Sequence, residues 1–88
     1  MACLDNTKID NMVHIAHNCK IGKNVIICAG VTFCGSVTIE DGVWLAPGTV
    51  IKEGVTIGKN ASTGLGAVVV KDVRPGALVI GVPAKEKE

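Results

Sequence analysis

A six-residue beat runs through this chain from Ile9 to Thr63 without losing phase, and few folds can carry it. A large apolar residue returns at Ile9, Ile15, Ile21, Ile27, Phe33, Ile39, Leu45, Ile51 and Ile57. Four places after each comes a smaller one: Val13, Cys19, Val25, Val31, Val37, Val43, Thr49, Val55 and Ala61. The place just before the smaller residue is Gly or Asn at Asn18, Asn24, Gly30, Gly42, Gly48, Gly54 and Asn60, with Met12 and Ser36 as the exceptions. An amphipathic helix repeats every 3.6 residues and a strand every 2, so neither produces this beat. A short strand, a tight turn and another short strand do, and hexapeptide repeats mark a parallel β-helix.

Turn chemistry points the same way. A type II turn needs positive φ at its second central residue, which Gly adopts freely and Asn tolerates, and it favours Pro at the first. The central pairs here read His17-Asn18, Lys23-Asn24, Asp41-Gly42, Pro47-Gly48, Glu53-Gly54 and Lys59-Asn60. The large residues are then expected to point into a prism and to stack from coil to coil.

The chain has 88 residues, enough for one domain. It is 48% hydrophobic, yet its only aromatics are Phe33 and Trp44, which suits a narrow prism filled by Ile and Val. A domain this small is marginal alone, and an uncapped solenoid exposes its end coils, so oligomerisation is expected. The net charge of +1 is spread along the chain and points to neither nucleic acid nor an anionic membrane surface. Apolar runs of about four residues are too short for a membrane span or a signal peptide. Cys3, Cys19, Cys28 and Cys34 form no C-x-x-C pair and no zinc spacing, so they read as small packing residues in a reducing cytoplasm.

Towards both ends the beat loosens. Cys3, Asn6 and Thr7 follow it approximately. After Ile57 the large positions decay to Thr63 and Val69, Ala67 and Val73 keep the small slot, and Pro75-Gly76 breaks the phase. Residues 1–74 are thus the repeat domain, and residues 75–88 a closing strand at Ala77 to Ile80 with a charged, frayed tail from Lys85 to Glu88. Three hexapeptides per coil give about four coils, roughly 20 Å tall at the strand spacing of a sheet. Vertical neighbours are then eighteen residues apart. Lys20, Thr38, Thr56 and Arg74 form a polar outward column. Ile26, Trp44 and Ser62 form a second, and His14, Thr32, Val50 and Val68 a third. The last two are apolar enough to mark a subunit interface, and the triangular section suggests three subunits.

The two histidines, His14 and His17, lie three apart. His17 takes the first central position of a turn, at a corner of the prism, and Gly35 stands directly above it where other coils carry Glu53 and Lys71. Gly35 leaves space beside the ring and bares its main-chain N–H. A base of near-neutral pKa and an amide donor one coil away are two parts that acyl transfer requires. From the spacing alone a solvated corner histidine with no chemistry is the simpler account. No third His or carboxylate joins the pair at a metal-binding spacing, so no metal is expected.

The segment Thr7-Lys8-Ile9-Asp10-Asn11-Met12-Val13-His14-Ile15-Ala16-His17-Asn18-Cys19-Lys20-Ile21-Gly22 resembles the active-site segment of the UDP-3-O-acylglucosamine N-acyltransferases of lipid A synthesis, and that of the UDP-N-acetylglucosamine acyltransferases. The far end, Gly64 to Gly76 with Gly81-Val82-Pro83-Ala84-Lys85, is similar to hexapeptide acetyltransferases that modify sugars with acetyl-CoA. The resemblance implies an all-β, left-handed parallel β-helix that forms a homotrimer with active sites between neighbouring subunits. It implies His17 as general base and Gly35 as the amide that polarises the acyl carbonyl. His14 and Asn11 become substrate contacts, and Gly64, Lys71 and Arg74 donor contacts. The donor is acyl carrier protein or CoA carrying an acyl group, acetyl-CoA included, with no tightly bound cofactor, and the acceptor a sugar nucleotide. The lipid A enzymes' N-terminal nucleotide-binding domain and C-terminal helices do not fit into 88 residues. The chain is therefore expected to be a minimal acyltransferase, a fragment, or a silent trimeric module.

Overall fold

Among the described residues fourteen short strands make up the regular structure: β1 (Ala2–Cys3), β2 (Lys8–Ile9), β3 (His14–Ile15), β4 (Lys20–Ile21), β5 (Ile26–Ile27), β6 (Thr32–Phe33), β7 (Thr38–Ile39), β8 (Trp44–Leu45), β9 (Val50–Ile51), β10 (Thr56–Ile57), β11 (Ser62–Thr63), β12 (Val68–Val69), β13 (Leu78–Ile80) and β14 (Lys85–Glu86). The computed structural model describes the backbone of residues 2–3 and 6–87. Cys3's side chain and Glu88 lie outside the described residues. From β2 to β12 each strand turns through a corner into the next sheet, so the chain winds through three sheets in rotation. Sheet A holds β1, β4, β7 and β10; sheet B holds β2, β5, β8, β11, β13 and β14; sheet C holds β3, β6, β9 and β12. Pairing between coils is parallel with an eighteen-residue register, as in Ile9↔Ile27, Ile15↔Phe33 and Ile21↔Ile39. The fold is a β-solenoid of about four turns, as the hexapeptide beat predicts.

Burial follows the beat. From the second coil onward the large positions (Ile27, Phe33, Ile39, Leu45, Ile51 and Ile57) are sealed from solvent, and so are Val25, Val31, Val37 and Val43 in the small slot. Stacking like on like is what the narrow prism demands, since packing to native density leaves no room for a change of volume from coil to coil. Two of these interior places hold a hydroxyl. The Ala46 N–H donates to Thr63 Oγ1 at 3.1 Å, the Thr49 and Thr63 hydroxyls lie 2.8 Å apart, and Thr49 Oγ1 donates to the Ala46 carbonyl at 2.8 Å. The cycle satisfies every group, so neither threonine carries the penalty of an unpaired buried hydroxyl.

All the turn places have positive φ. Asn18, Asn24 and Asn60 sit near +60°, and Gly30, Gly42, Gly48 and Gly54 near +75°. Met12 and Ser36, the two residues that break the Gly/Asn rule, adopt +61° and +59° regardless. The winding therefore dictates the conformation and the residue accepts the strain. Gly54 isolates this effect, because a Cβ built there would meet nothing within 4 Å. Gly54→Val is expected to cost about 1–3 kcal/mol from backbone strain alone. Lys59→Val, at a first turn position with ordinary φ, should cost little. Urea denaturation of the two variants checks this, and equal losses would contradict the assigned turn register.

Near the end the structure departs from the expected phase. The break does not fall at Pro75-Gly76, which forms a turn like the others with Gly76 at φ +76°. It falls between Val69 and Val73, where the coil is two residues short: Val69 still opposes Ile51, but Val73 opposes Ile57. Val73 thus takes a large place rather than the small slot, and Arg74 leaves the Lys20–Thr38–Thr56 column to lie over Gly58. The shortened corner lacks the carbonyl that would accept the Thr56 N–H, and Asp72 Oδ1 accepts it instead at 2.9 Å. Asp72→Ala should leave that N–H unpaired and cost about 1–2 kcal/mol. Thermal denaturation measures the loss, with Asp72→Asn as the conservative control that retains an acceptor.

The tail is not frayed. After β13 the chain turns at Gly81 to Ala84, with a cis Val82–Pro83 bond, and β14 returns antiparallel with Val79↔Glu86 and Ile80↔Lys85. The Val68 N–H donates to the Gly81 carbonyl and the Ala84 N–H to that of Val68, at 3.0 and 2.7 Å, so the turn also continues sheet C. Among the described residues no helix is long and apolar enough to cross a membrane.

Candidate active site

His17 occupies the corner between sheets C and A, in the turn between β3 and β4. Its side chain is exposed. The eighteen-residue register puts Gly35 on the next coil and Glu53 on the one after, so the three form one vertical edge. The coils at this edge are joined through the second turn amides: Ser36 N–H donates to the His17 carbonyl at 2.8 Å, and Gly54 N–H to that of Gly35 at 3.0 Å. The Gly35 N–H has no acceptor among the described residues. At the corner between sheets A and B carboxylates take two of the equivalent amides, Lys23 N–H donating to Asp41 Oδ1 at 2.8 Å and Lys59 N–H to Glu40 Oε1 at 3.2 Å, while the Asp41 N–H, like that of Gly35, has no acceptor among the described residues. Gly35 is thus an amide left available beside an imidazole.

The space beside Gly35 is real. A Cβ placed there would lie 3.8 Å from the His17 carbonyl and 4.0 Å from the Glu53 side chain, ordinary contact distances. The position does not require Gly for backbone reasons, since its φ is not positive. A thioester carbonyl approaching this corner would find a donor and a base one coil away, with no side chain on Gly35 itself and the Glu53 side chain bordering the space.

The other sequence-predicted residues fall as follows. His14 starts β3 on the outer face of sheet C, opposite Thr32, and is exposed. Asn11 stands at the preceding corner, between sheets B and C, where its carbonyl accepts the Gly30 N–H at 3.1 Å. Within one chain a whole face separates Asn11 from His17, so the structure does not bring them together. Lys71 and Arg74 do meet, on the rim of a cavity of about 510 Å³ floored by Val69, Val73, Ala77 and Val79. This cavity opens where the coil is two residues short, at the far end of the edge that carries His17. Arg74 is engaged there: its Nε donates to Glu86 Oε1 at 2.8 Å, and its Nη2 reaches the same oxygen. This pairing raises the already high guanidinium pKa through the hydrogen bond and the charge of Glu86. Gly64 is elsewhere, packed beneath Ile80, whose Cγ2 would lie 2.6 Å from a Cβ on it. Lys85, on the cavity rim, and Glu53, on the edge, were not legible as site residues: the first depends on the hairpin and the second on a side-chain direction.

Among the described residues no group of three or more His, Cys, Asp or Glu side chains could hold a metal ion. Cys19 is buried, with its Sγ 3.3 Å from the Cys34 carbonyl, while Cys28 and Cys34 are half-buried, and all three thiols are free.

Residues 4–35 and 36–71 match the model of the bacterial transferase hexapeptide (six repeats) family. The chain is 38% identical over 81 residues to a UDP-3-O-acylglucosamine N-acyltransferase of Caulobacter sp. (strain K31), covering 92% of this chain and 24% of that protein. A protein of the same name from Thermosynechococcus vestitus is 60% identical over 25 residues, 28% of this chain and 7% of the relative. The chain therefore spans about a quarter or less of the curated relatives it matches. Among solved structures, an Arabidopsis UDP-N-acetylglucosamine acyltransferase superposes with a TM-score of 0.85 at 34% identity, over 90% of this chain and 30% of that one. A serine acetyltransferase in complex with CoA superposes with a TM-score of 0.83 at 27% identity, over 92% and 39%. The repeat beat, the three-sheet solenoid and the match over most of its length place the chain in the bacterial transferase hexapeptide family.

Proposed function

We propose that this chain carries the acyl-transfer site of a hexapeptide acyltransferase, moving an acyl group from a CoA or acyl carrier protein thioester to an amino or hydroxyl group of a sugar nucleotide. The observation that carries the reading is the edge itself: an exposed imidazole, an uncommitted amide one coil above it, and no side chain at Gly35 to fill the space beside that amide. His17 accepts the proton of the acceptor N–H or O–H as that atom attacks the thioester carbonyl carbon. The carbonyl electron pair moves onto oxygen, and the Gly35 N–H holds the developing oxyanion. Collapse breaks the C–S bond, and the leaving sulfur takes the proton back from His17. No acyl-enzyme is formed, and no charge is left over.

The donor lies along the same edge. From Gly35 to the coil of Lys71 is two strand spacings, roughly 10 Å. That span is within the reach of a pantetheine-like arm whose carbonyl rests at Gly35, so its phosphate can meet Lys71 and Lys85, the cations on the cavity rim without an ion-pair partner among the described residues. Arg74 joins them only by releasing Glu86. The apolar outer columns support a homotrimer as the working form, in which His14 and Asn11 would lie near the acceptor between neighbouring left-handed subunits. The free thiols suit a reducing cytoplasm. An acetyl-CoA-dependent sugar acetyltransferase is the second reading, favoured by the likeness to a CoA-bound serine acetyltransferase.

Thermal scans with CoA, acetyl-CoA and acyl carrier protein test the donor assignment. A true donor at 100 times its Kd should add about 2.7 kcal/mol of apparent stability. Lys71→Ala should weaken that shift without altering the ligand-free midpoint. Absence of any shift, together with no thiol release, would replace the enzyme by a silent assembly module.

A further inference from the structure

The cavity at the far end of the His17 edge has two unlike walls. One is the shortened corner, residues 70–74, and the other is the returning hairpin, residues 83–86. Opposed residues of an antiparallel pair share a face, so the pairing Val79↔Glu86 puts the Glu86 side chain on the side of the buried Val79, which floors the cavity. A one-residue slip of β14 would have turned it away. In the observed register it meets Arg74 of the opposite wall, whose Nε donates to Glu86 Oε1 at 2.8 Å and whose Nη2 donates to the same oxygen. This is the only ion pair among the described residues, and the chain's single arginine makes it. Asp72, the other carboxylate lining the cavity, is spent on the Thr56 N–H.

A guanidinium presents its Nε and Nη hydrogens as one fork, and a phosphate takes that fork in the same way as a carboxylate. With Glu86 seated on it, the fork is filled from inside the chain. Lys71 and Lys85 stay free to draw a phosphate to the rim, but the donor best shaped to hold it is occupied.

We propose that the Arg74–Glu86 pair is an autoinhibitory latch across this cavity, in which the Glu86 carboxylate competes with the phosphates of the thioester donor for Arg74; the proposal rests on the donor reading of the cavity. In the closed state the pair ties the hairpin to the shortened corner. In the open state the phosphate replaces the carboxylate on Arg74, and Glu86 turns to solvent. The Arg74 and Glu86 side chains are 74% and 39% exposed, so the latch is a weak one that sets affinity rather than blocking entry.

Calorimetric titration with CoA tests this on the wild type and on Glu86→Gln. The variant is expected to bind CoA up to about fivefold more tightly, the most an exposed pair supplies. Because Arg74 is the only arginine, its Nε–H gives a single resonance in isotope-labelled protein. That resonance should differ between the two ligand-free proteins, and saturating CoA should bring both to a common position. Equal or weaker binding by Glu86→Gln, or a wild-type resonance that CoA leaves in place, would overturn the latch and leave the donor site standing. CoA binding to neither protein would overturn the latch together with the CoA reading of the donor.

Discussion

Replacing His17 by alanine should lower acyl-transfer turnover by roughly 10²–10⁴-fold, the usual contribution of a general base. The thermal midpoint should hardly move, because the ring is exposed and makes no side-chain hydrogen bond among the described residues. His14→Ala, one strand away on the face of sheet C, is expected to act chiefly on acceptor affinity, raising KM more than it lowers kcat. Gly35→Val supplies the sharper control. The backbone there accepts a side chain and the first carbon would make only ordinary contacts, so the variant should fold. Its two methyl groups then occupy the space of the acyl carbonyl and should remove activity. Free-thiol release with acetyl-CoA and an aminosugar nucleotide reads all three. A His17→Ala enzyme as fast as the wild type would show that the base lies elsewhere.

The second large effect concerns assembly. Ile26 and Trp44 stack on the outer face of sheet B with exposures of 42% and 45%, and Leu78 continues the column beyond Ser62 at 37%. Val50 and Val68 line the adjoining face of sheet C, and Leu65 projects at the corner between the two. A chain whose core is only about four coils tall would gain much stability by covering such a surface with copies of itself. Trp44→Lys would put a charge at the centre of this patch, where one truncated anchor commonly costs 2 kcal/mol or more per site. The variant is expected to yield monomers or insoluble material, and light scattering at micromolar concentration should give three times the chain mass for the wild type. A folded wild-type monomer under those conditions would contradict the trimer.

How far these results can be read from the residues depends on where periodicity holds. From Ile9 to Thr63 the beat determines which residues are inside, which face outward and where φ turns positive. Even Met12 and Ser36, which violate the Gly/Asn preference, obey the position rather than their own propensity. The alignment of His17 under Gly35 follows from the same eighteen-residue arithmetic. The last coil was opaque because Ala67-Val68-Val69-Val70 offers an apolar residue in every phase, so a two-residue shortening leaves no trace in hydrophobicity. Asp72 substituting for an absent carbonyl could not be foreseen from its type, and the displacement of Arg74 onto Glu86 follows from that shift. Lys85 and Glu86 look like a solvated tail in one dimension, yet they pair with Ile80 and Val79 because β13 would otherwise present an open edge there.

Acyl transfer at this corner requires a thioester donor lying along the edge that runs from His17 through Gly35 to Lys71. A crystal structure of the wild type with a non-hydrolysable thioether analogue of acetyl-CoA measures this directly. The analogue's carbonyl oxygen is predicted to lie about 3 Å from the Gly35 amide nitrogen, with its phosphates beside Lys71 and Lys85. A donor bound along either of the other two edges, or with its carbonyl away from Gly35, would contradict it.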